Sequence, residues 1–319
     1  MFYRKVYPKA WQLVKKNPAI WFFGLFASLL GFYEIKILFN FSDKFPDFIS
    51  ANIISWIDIF VAFSTINFGW SNLPDVLALF GLFILFSALT ILTVSSQAAL
   101  TRAAYFKDKK TINESLGLQL NKGIDKFWPV FGLNIINSLI GYFFVTLVLV
   151  PIIYFLSSTS DWPIYIILGL FTFFVLMPLV VVISFVTRYG IAYIVIKNQK
   201  FTEAFVNSWL LFKLNWIITI ENAVTLLAMT FIALVLMVSS MIFIFVPFII
   251  IAKIIPVLSF MFMLIGFFLI AVILIFGTSI YASFYNVVWG TVFLELIAPG
   301  KSHSKIHRIV HKHLPGLLK

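Results

Sequence analysis

The sequence predicts an all-α, polytopic membrane protein with six transmembrane helices arranged as three hairpin units. Each unit is preceded by a short cytoplasmic helix lying on the membrane surface. Three observations lead there. Of 319 residues, 62% are hydrophobic and only 11% charged, whereas soluble domains are about 25% charged. Six apolar runs reach the roughly 20 residues that a helix needs to cross the hydrocarbon. Finally, 20 of the 23 Lys and Arg residues fall on one side of those runs, leaving Lys36, Lys44 and Lys253 on the other. That asymmetry places both termini in the cytoplasm.

The first element is residues 3–16. On a helical wheel Tyr3, Val6, Ala10, Leu13 and Val14 face one way, and Lys5, Lys9, Gln12 and Lys16 the other. Such a helix is expected to bury its apolar side in acyl chain and set Lys5, Lys9, Lys15 and Lys16 among lipid headgroups. Asn17-Pro18 stops it and turns the chain inward. Trp11 and Trp21 suit the headgroup zone. The basic stretch and apolar run invite comparison with a secretory signal, but residues 27–31 read Ala-Ser-Leu-Leu-Gly and offer no clean cleavage site. An uncleaved first span over 18–39 is the expectation.

The other spans are expected at 75–104, 129–155, 163–187, 217–250 and 257–297. Pro18, Pro74, Pro129, Pro163 and Pro256 fall near first turns, where a missing N–H costs nothing. Residues 48–66 are apolar enough to imitate a seventh span. Ala51, Ser55, Asp58, Ala62 and Thr65 share one narrow stripe, which predicts a helix in the outer interface or one packed on the bundle. A crossing here would also move Arg102 to Lys110 to the outer side, against the charge bias.

An internal repeat organises the chain. WQLVKKN at 11–17 matches WLLFKLN at 209–215 in register through Trp11/Trp209, Leu13/Leu211, Lys15/Lys213 and Asn17/Asn215. LQLNKGI at 118–124 is a weaker third copy. A capping box at Thr111 and Glu114 and an N-cap at Thr202 open the short helices before the later copies. Thr101-Arg102 and Thr187-Arg188 mark matching ends of the second and fourth spans. The repeat divides a single membrane domain, 1–300, into units of about 1–106, 107–197 and 198–298, with a tail at 301–319.

Ionisable groups inside a membrane are functional candidates by default. Glu221, beside Asn222 and shortly after Trp216, leads them; Asn134 stands at the equivalent place in the second unit. Arg102 and Arg188 could pair with Glu221 or hold a lipid phosphate, or serve only as helix-end anchors. Lys213 and the tail residues Lys301, Lys305, Arg308 and Lys312 complete the expected headgroup contacts. In that tail His303, His307 and His311 have a spacing that could chelate a metal. The wheel favours a basic amphipathic helix instead, with Ile306, Val310 and Leu314 opposite the cations. No metal or other cofactor is therefore expected. With no cysteine, no thiol chemistry exists. No P-loop, H-E-x-x-H, G-x-S-x-G or dinucleotide fingerprint occurs, so the chain reads as non-enzymatic. The net charge of +11 lies at the ends of apolar runs, which points to anionic lipid rather than nucleic acid.

The W-x-L-x-K-x-N motif followed by P-A-I-W-F-F-G-L (residues 11–25) resembles uncharacterised bacterial six-helix membrane proteins. It is similar to the membrane domain that precedes the catalytic domain in some bacterial glycerophosphodiester phosphodiesterases. The resemblance implies a bacterial plasma (inner) membrane location and transfers no site residue, because the catalytic domain is not in this chain. The charged signature of mitochondrial carriers is missing after Pro151 and Pro247. Two functions follow: a non-catalytic membrane protein that meets anionic lipids or membrane partners through its basic helices, or a transporter or channel for a lipid or small amphiphile using Glu221, Asn134 and the arginines. A peptide covering residues 301–319 should bind anionic vesicles and leave neutral ones alone; equal binding to both would remove the electrostatic role of the tail.

Overall fold

Short helix, break, long helix is the local pattern that recurs along the chain. The computed structural model describes residues 2–28, 73–105, 116–158, 167, 174 and 177–298, and these are helical with no strand. Helix α1 is Phe2–Lys16 and α2 is Ala19–Ser28. They are followed by α3 (Leu73–Ala103), α4 (Leu116–Ile124), α5 (Phe127–Ser158), α6 (Met177–Lys197) and α7 (Phe201–Ile254). A 3-10 turn at Pro256–Leu258 leads into α8, Ser259–Ile297. The 48–66 segment, Thr111 with Glu114, and the tail with Lys301, His303, Lys305, His307, Arg308, His311 and Lys312 lie outside the described residues.

Each break has a chemical cause. Pro18 disfavours helix at Asn17, and α1 ends there. The Trp21 indole N–H then donates to the Val14 carbonyl at 3.0 Å, which gives a partner to an acceptor stranded at the helix end. Helix α4 closes at Asp125, whose N–H reaches the Asn121 carbonyl at 2.9 Å, before α5 begins. Within α7, Asn215 leaves helical geometry with φ −130° and ψ 28°. Its side-chain amide donates to the Leu211 carbonyl at 3.1 Å, the kind of local bond that lets Asn compete with the helix ladder. Asn17 and Asn215, paired by the repeat, are both buried and both sit at a break. Helix α6 ends differently, on Asn198 in the left-handed region (φ 57°), with the Gln199 N–H folded back to the Tyr193 carbonyl.

The described residues belong to two units. One gathers residues 1–28, 94–137 and 182–319, and it contains the core. There Val6, Ala10 and Val14 are fully buried, and the rings of Tyr7 and Trp11 pack on Phe284 of α8. The apolar face of α1 is thus occupied by protein, which corrects the expectation that it enters acyl chain. The reason is that α8 supplies both an apolar surface and fixed polar anchors, while lipid supplies only the first. The opposite face is as expected: Lys5, Lys15 and Lys16 are exposed and Lys9 half-buried.

Small residues let the helices approach α8 closely. A Cβ on Gly24 would stand 2.0 Å from the Ser279 carbonyl oxygen. Ser283 donates to the Ile20 carbonyl at 3.0 Å, and Ser279 to that of Trp21. Farther along α8, a Cβ on Gly290 would meet the Ala104 Cβ at 2.6 Å. Helices α7 and α8 run along one another, with Phe245 and Phe267 at 5.1 Å and Gly277 against Met237.

The 39 residues of α8 extend about 58 Å, well beyond the roughly 30 Å of a hydrocarbon core. Its two ends differ accordingly. From Ser279 to Leu296 it is largely buried and carries Ser283, Asn286 and Thr291, whereas Phe260, Phe267, Phe268 and Phe276 face outward. The second unit, residues 29–93 and 138–181, likewise turns Phe80, Phe83, Phe86 and Phe143 outward. Among the described residues, α3, α5, α6, α7 and α8 contain stretches long and apolar enough to cross a membrane. The chain is a helical membrane protein.

Gly290→Val should cost about 1–3 kcal/mol by overpacking, read as a lower melting temperature in detergent. Gly141→Val, where nothing lies within 4 Å among the described residues, should leave it unchanged. Equal effects would refute the close approach at Gly290.

Candidate functional site

In a chain this apolar the informative residues are the polar ones that are buried. One set gathers where α1 meets α7, and another where α3, α6 and α8 come together. Glu221 and Asn222 stand on α7 just past its kink, so the bend at Asn215 sets the direction from which they meet α1. Tyr3 and Tyr7 reach across from α1. The Tyr7 hydroxyl donates to Asn222 Oδ1 at 2.9 Å, and the Tyr3 hydroxyl to the Ile218 carbonyl at 3.2 Å. Tyr3 also interacts with the Glu221 carboxylate. Burial, reinforced by Glu221, pushes the Tyr3 phenol well above its ordinary range; burial does the same to Tyr7. Both therefore stay protonated and act as donors.

Two atoms in this group remain unsatisfied. Glu221 Oε2 and Asn222 Nδ2 are buried and have no hydrogen-bond partner. Asn222 is fully buried, while the Glu221 residue as a whole is partly exposed. Glu221 thus meets the phenol of Tyr3 on α1, while Lys213 is exposed on the arm before the kink.

Arg188 belongs to a neighbouring set. Its guanidinium lies 4.7 Å from the centre of the Tyr285 ring and 5.6 Å from that of Trp289, a cation–π arrangement on α8. With Gln97, Thr101, Asn286, Trp289 and Gly290 it lines a cavity of about 10 Å³, room for one water. The Trp289 indole Nε1 is buried without a partner. Helix α6 continues to Lys197, so Arg188 is interior to its helix and not at an end. That corrects its reading as a helix-end anchor; Arg102, in the last turn of α3 and half-buried, keeps that place. Asn134 donates to Gln97 Oε1 at 2.9 Å and to the Val130 carbonyl at 3.1 Å, which joins it to the Arg188 set through Gln97.

The residues singled out from sequence therefore fall into two groups, Glu221 with Asn222 and Arg188 with Asn134. Missed from sequence were Tyr3, Tyr7, Asn286 and Trp289. Asn286 had a readable signal, an amide inside a 39-residue apolar helix. Tyr3 did not, because it passed as part of an amphipathic face, and nothing local singled out Tyr7. Chemically, the first group presents a carboxylate among phenols and the second a guanidinium among aromatic rings and amides.

Tyr7→Phe removes the donor to a fully buried Asn222 and should destabilise the protein by about 1–3 kcal/mol. Combining it with Asn222→Leu should recover part of that loss, and additive costs in the double-mutant cycle would show that the bond is not an energetic unit. No family model, curated protein or solved structure matches this chain, so the resemblance to phosphodiesterase membrane domains rests on its motif alone.

Proposed function

We propose that the chain is a non-catalytic integral membrane protein that docks anionic lipid headgroups through the exposed faces of its short basic helices. In this reading six spans form three hairpins in a bacterial plasma (inner) membrane, with both termini in the cytoplasm. The observation that carries it is the anchoring of α1. One face is locked onto α8 by Val6, Ala10, Val14 and Tyr7, so Lys5, Lys15 and Lys16 project from a fixed surface. A fixed cation loses less freedom on meeting a phosphate than one on a mobile tail. Lys213 extends the same chemistry to the third unit, where the short arm of α7 precedes its kink.

A transport reading stands second. The buried Oε2 of Glu221 supports it, since an intramembrane carboxylate marks pathways.

Replacing Lys5, Lys15, Lys16 and Lys213 with Gln together should weaken association of the purified protein with anionic lipid by about 1 kcal/mol per residue at low salt. Native mass spectrometry or lipid titration in nanodiscs reads this directly. Neutral lipid binding should not change. Unaltered anionic binding would sink the proposal.

A further inference from the structure

Helices α7 and α8, both in the first unit, run together for roughly twice the 30 Å of a hydrocarbon core, so only part of the pair can lie among acyl chains. Their surface says which part. Among the described residues of α7 none between Leu226 and Ala252 is buried, and on α8 Gly266 alone is buried ahead of Ser279. The two bare stretches lie side by side, with Phe245 on Phe267 and Met237 against Gly277. Just past them the contacts turn polar, where the hydroxyls of Thr230 and Tyr281 meet. From Ser259 to Ser279 the axis rises about 30 Å, one hydrocarbon thickness, and the same rise takes α7 from Lys253 to Ala233. No charged residue occurs between Glu221 and Lys253, or between Lys253 and Glu295. Lys253 itself is exposed beside the turn. Moving the bilayer toward the core would leave Val257, 93% exposed, and Phe260 in water. The core end has no such need of lipid, because protein already wraps it.

We propose that the α7–α8 hairpin is a bilayer-binding surface whose acyl-chain belt covers residues 233–253 and 259–279, with Lys253 on a lipid phosphate of the leaflet at the turn. The lysine stem lies along the apolar surface while its ammonium reaches the headgroups. The core end then projects from the opposite face of the hydrocarbon. Phe284, on which α1 packs, lies about 8 Å past Ser279, within the headgroup layer. Trp289, beside the Arg188 guanidinium, lies about 15 Å past it and beyond that layer. Glu221 is about 18 Å beyond Ala233 along α7. The belt takes that carboxylate out of the hydrocarbon, and with it the premise of the transport reading. It holds whether or not the lysines of α1 select anionic lipid.

The chain has no cysteine, so single cysteines carry a nitroxide without background. The full chain in phosphatidylethanolamine and phosphatidylglycerol vesicles is labelled in turn at the exposed positions of Phe243, Phe268, Val257 and Val224. Depth is read from collisions with oxygen, which concentrates among acyl chains, against those with a water-soluble nickel chelate. Phe243→Cys and Phe268→Cys should lie deepest, Val257→Cys in the headgroup layer, and Val224→Cys on the aqueous side. A Val224 label as deep as the one at Phe243 would overturn the proposal. So would a Phe243 label reached by neither reagent, since protein and not acyl chain would then cover the belt. If Val224→Cys does not fold, Ile220→Cys, also exposed and one turn farther from the belt, takes its place with the same outcomes. Adding Lys253→Leu to Val257→Cys should let the turn sink and raise the ratio of oxygen to chelate collisions. An unchanged ratio would overturn the phosphate contact of Lys253.

Discussion

Everything described in the core depends on the seating of α1 and α2 against α8. The contact is made at backbone range: Gly24 lies on the Ser279 carbonyl, and the serines of α8 donate to carbonyls of Ile20 and Trp21. In a membrane, apolar surface gains little by leaving lipid for protein, so close packing and interhelical hydrogen bonds decide which helices associate. Two serines and a glycine in register provide both. Once they meet, the direction of the preceding break fixes α1, whose tyrosines then reach α7. The polar group at Glu221 is a consequence of that approach.

The length of α8 explains why the core holds so many polar side chains. A helix of about 58 Å cannot be solvated by hydrocarbon throughout, and its segment from Ser279 onward is wrapped in protein instead. There Asn286 and Thr291 donate to carbonyls four residues earlier on the same helix, at 2.8–2.9 Å, and the single Ser283 hydroxyl proton is shared between the Ser279 and Ile20 carbonyls. Such bonds satisfy the side chain at little cost wherever it is buried. Glu221, Asn222 and Trp289 have no equivalent escape for all of their atoms. The distinction separates polar residues that merely tolerate burial from those whose burial remains uncompensated.

The helical membrane class was legible in composition and run length alone, because the cost of exposing backbone in hydrocarbon leaves few alternatives. The breaks were legible too. Asn17 and Asn215 were paired by a seven-residue motif, and each sits at a helix break. What stayed hidden was the partner of each face. The periodicity of α1 shows that one side is apolar, but Val6 and Val14 would read the same against lipid as against α8. Likewise the sequence marks Glu221 and Arg188 as unusual without revealing that they face different neighbours. Tyr7 with Asn222 is a contact across 215 positions, and no local pattern encodes it. Helix ends were also less legible than helix existence: α6 runs on to Lys197, which turned Arg188 from an end residue into an interior one.

Helix α1 joins the proposed lipid-facing surface to the buried polar group. Its exposed face bears Lys5, Lys15 and Lys16, while its buried side brings Tyr3 and Tyr7 over Glu221 and Asn222. If headgroups bind the first face, their binding and the seating of α1 on α7 and α8 become linked equilibria. Linkage then requires the effects to be reciprocal and equal in free energy. A lipid that favours the seated helix strengthens the Tyr7–Asn222 contact by the same factor by which that contact favours lipid binding. A lipid that is indifferent to the seating of α1 shifts nothing, however strongly it binds. On the proposed lipid docking, the two faces of one fifteen-residue helix would therefore be read together.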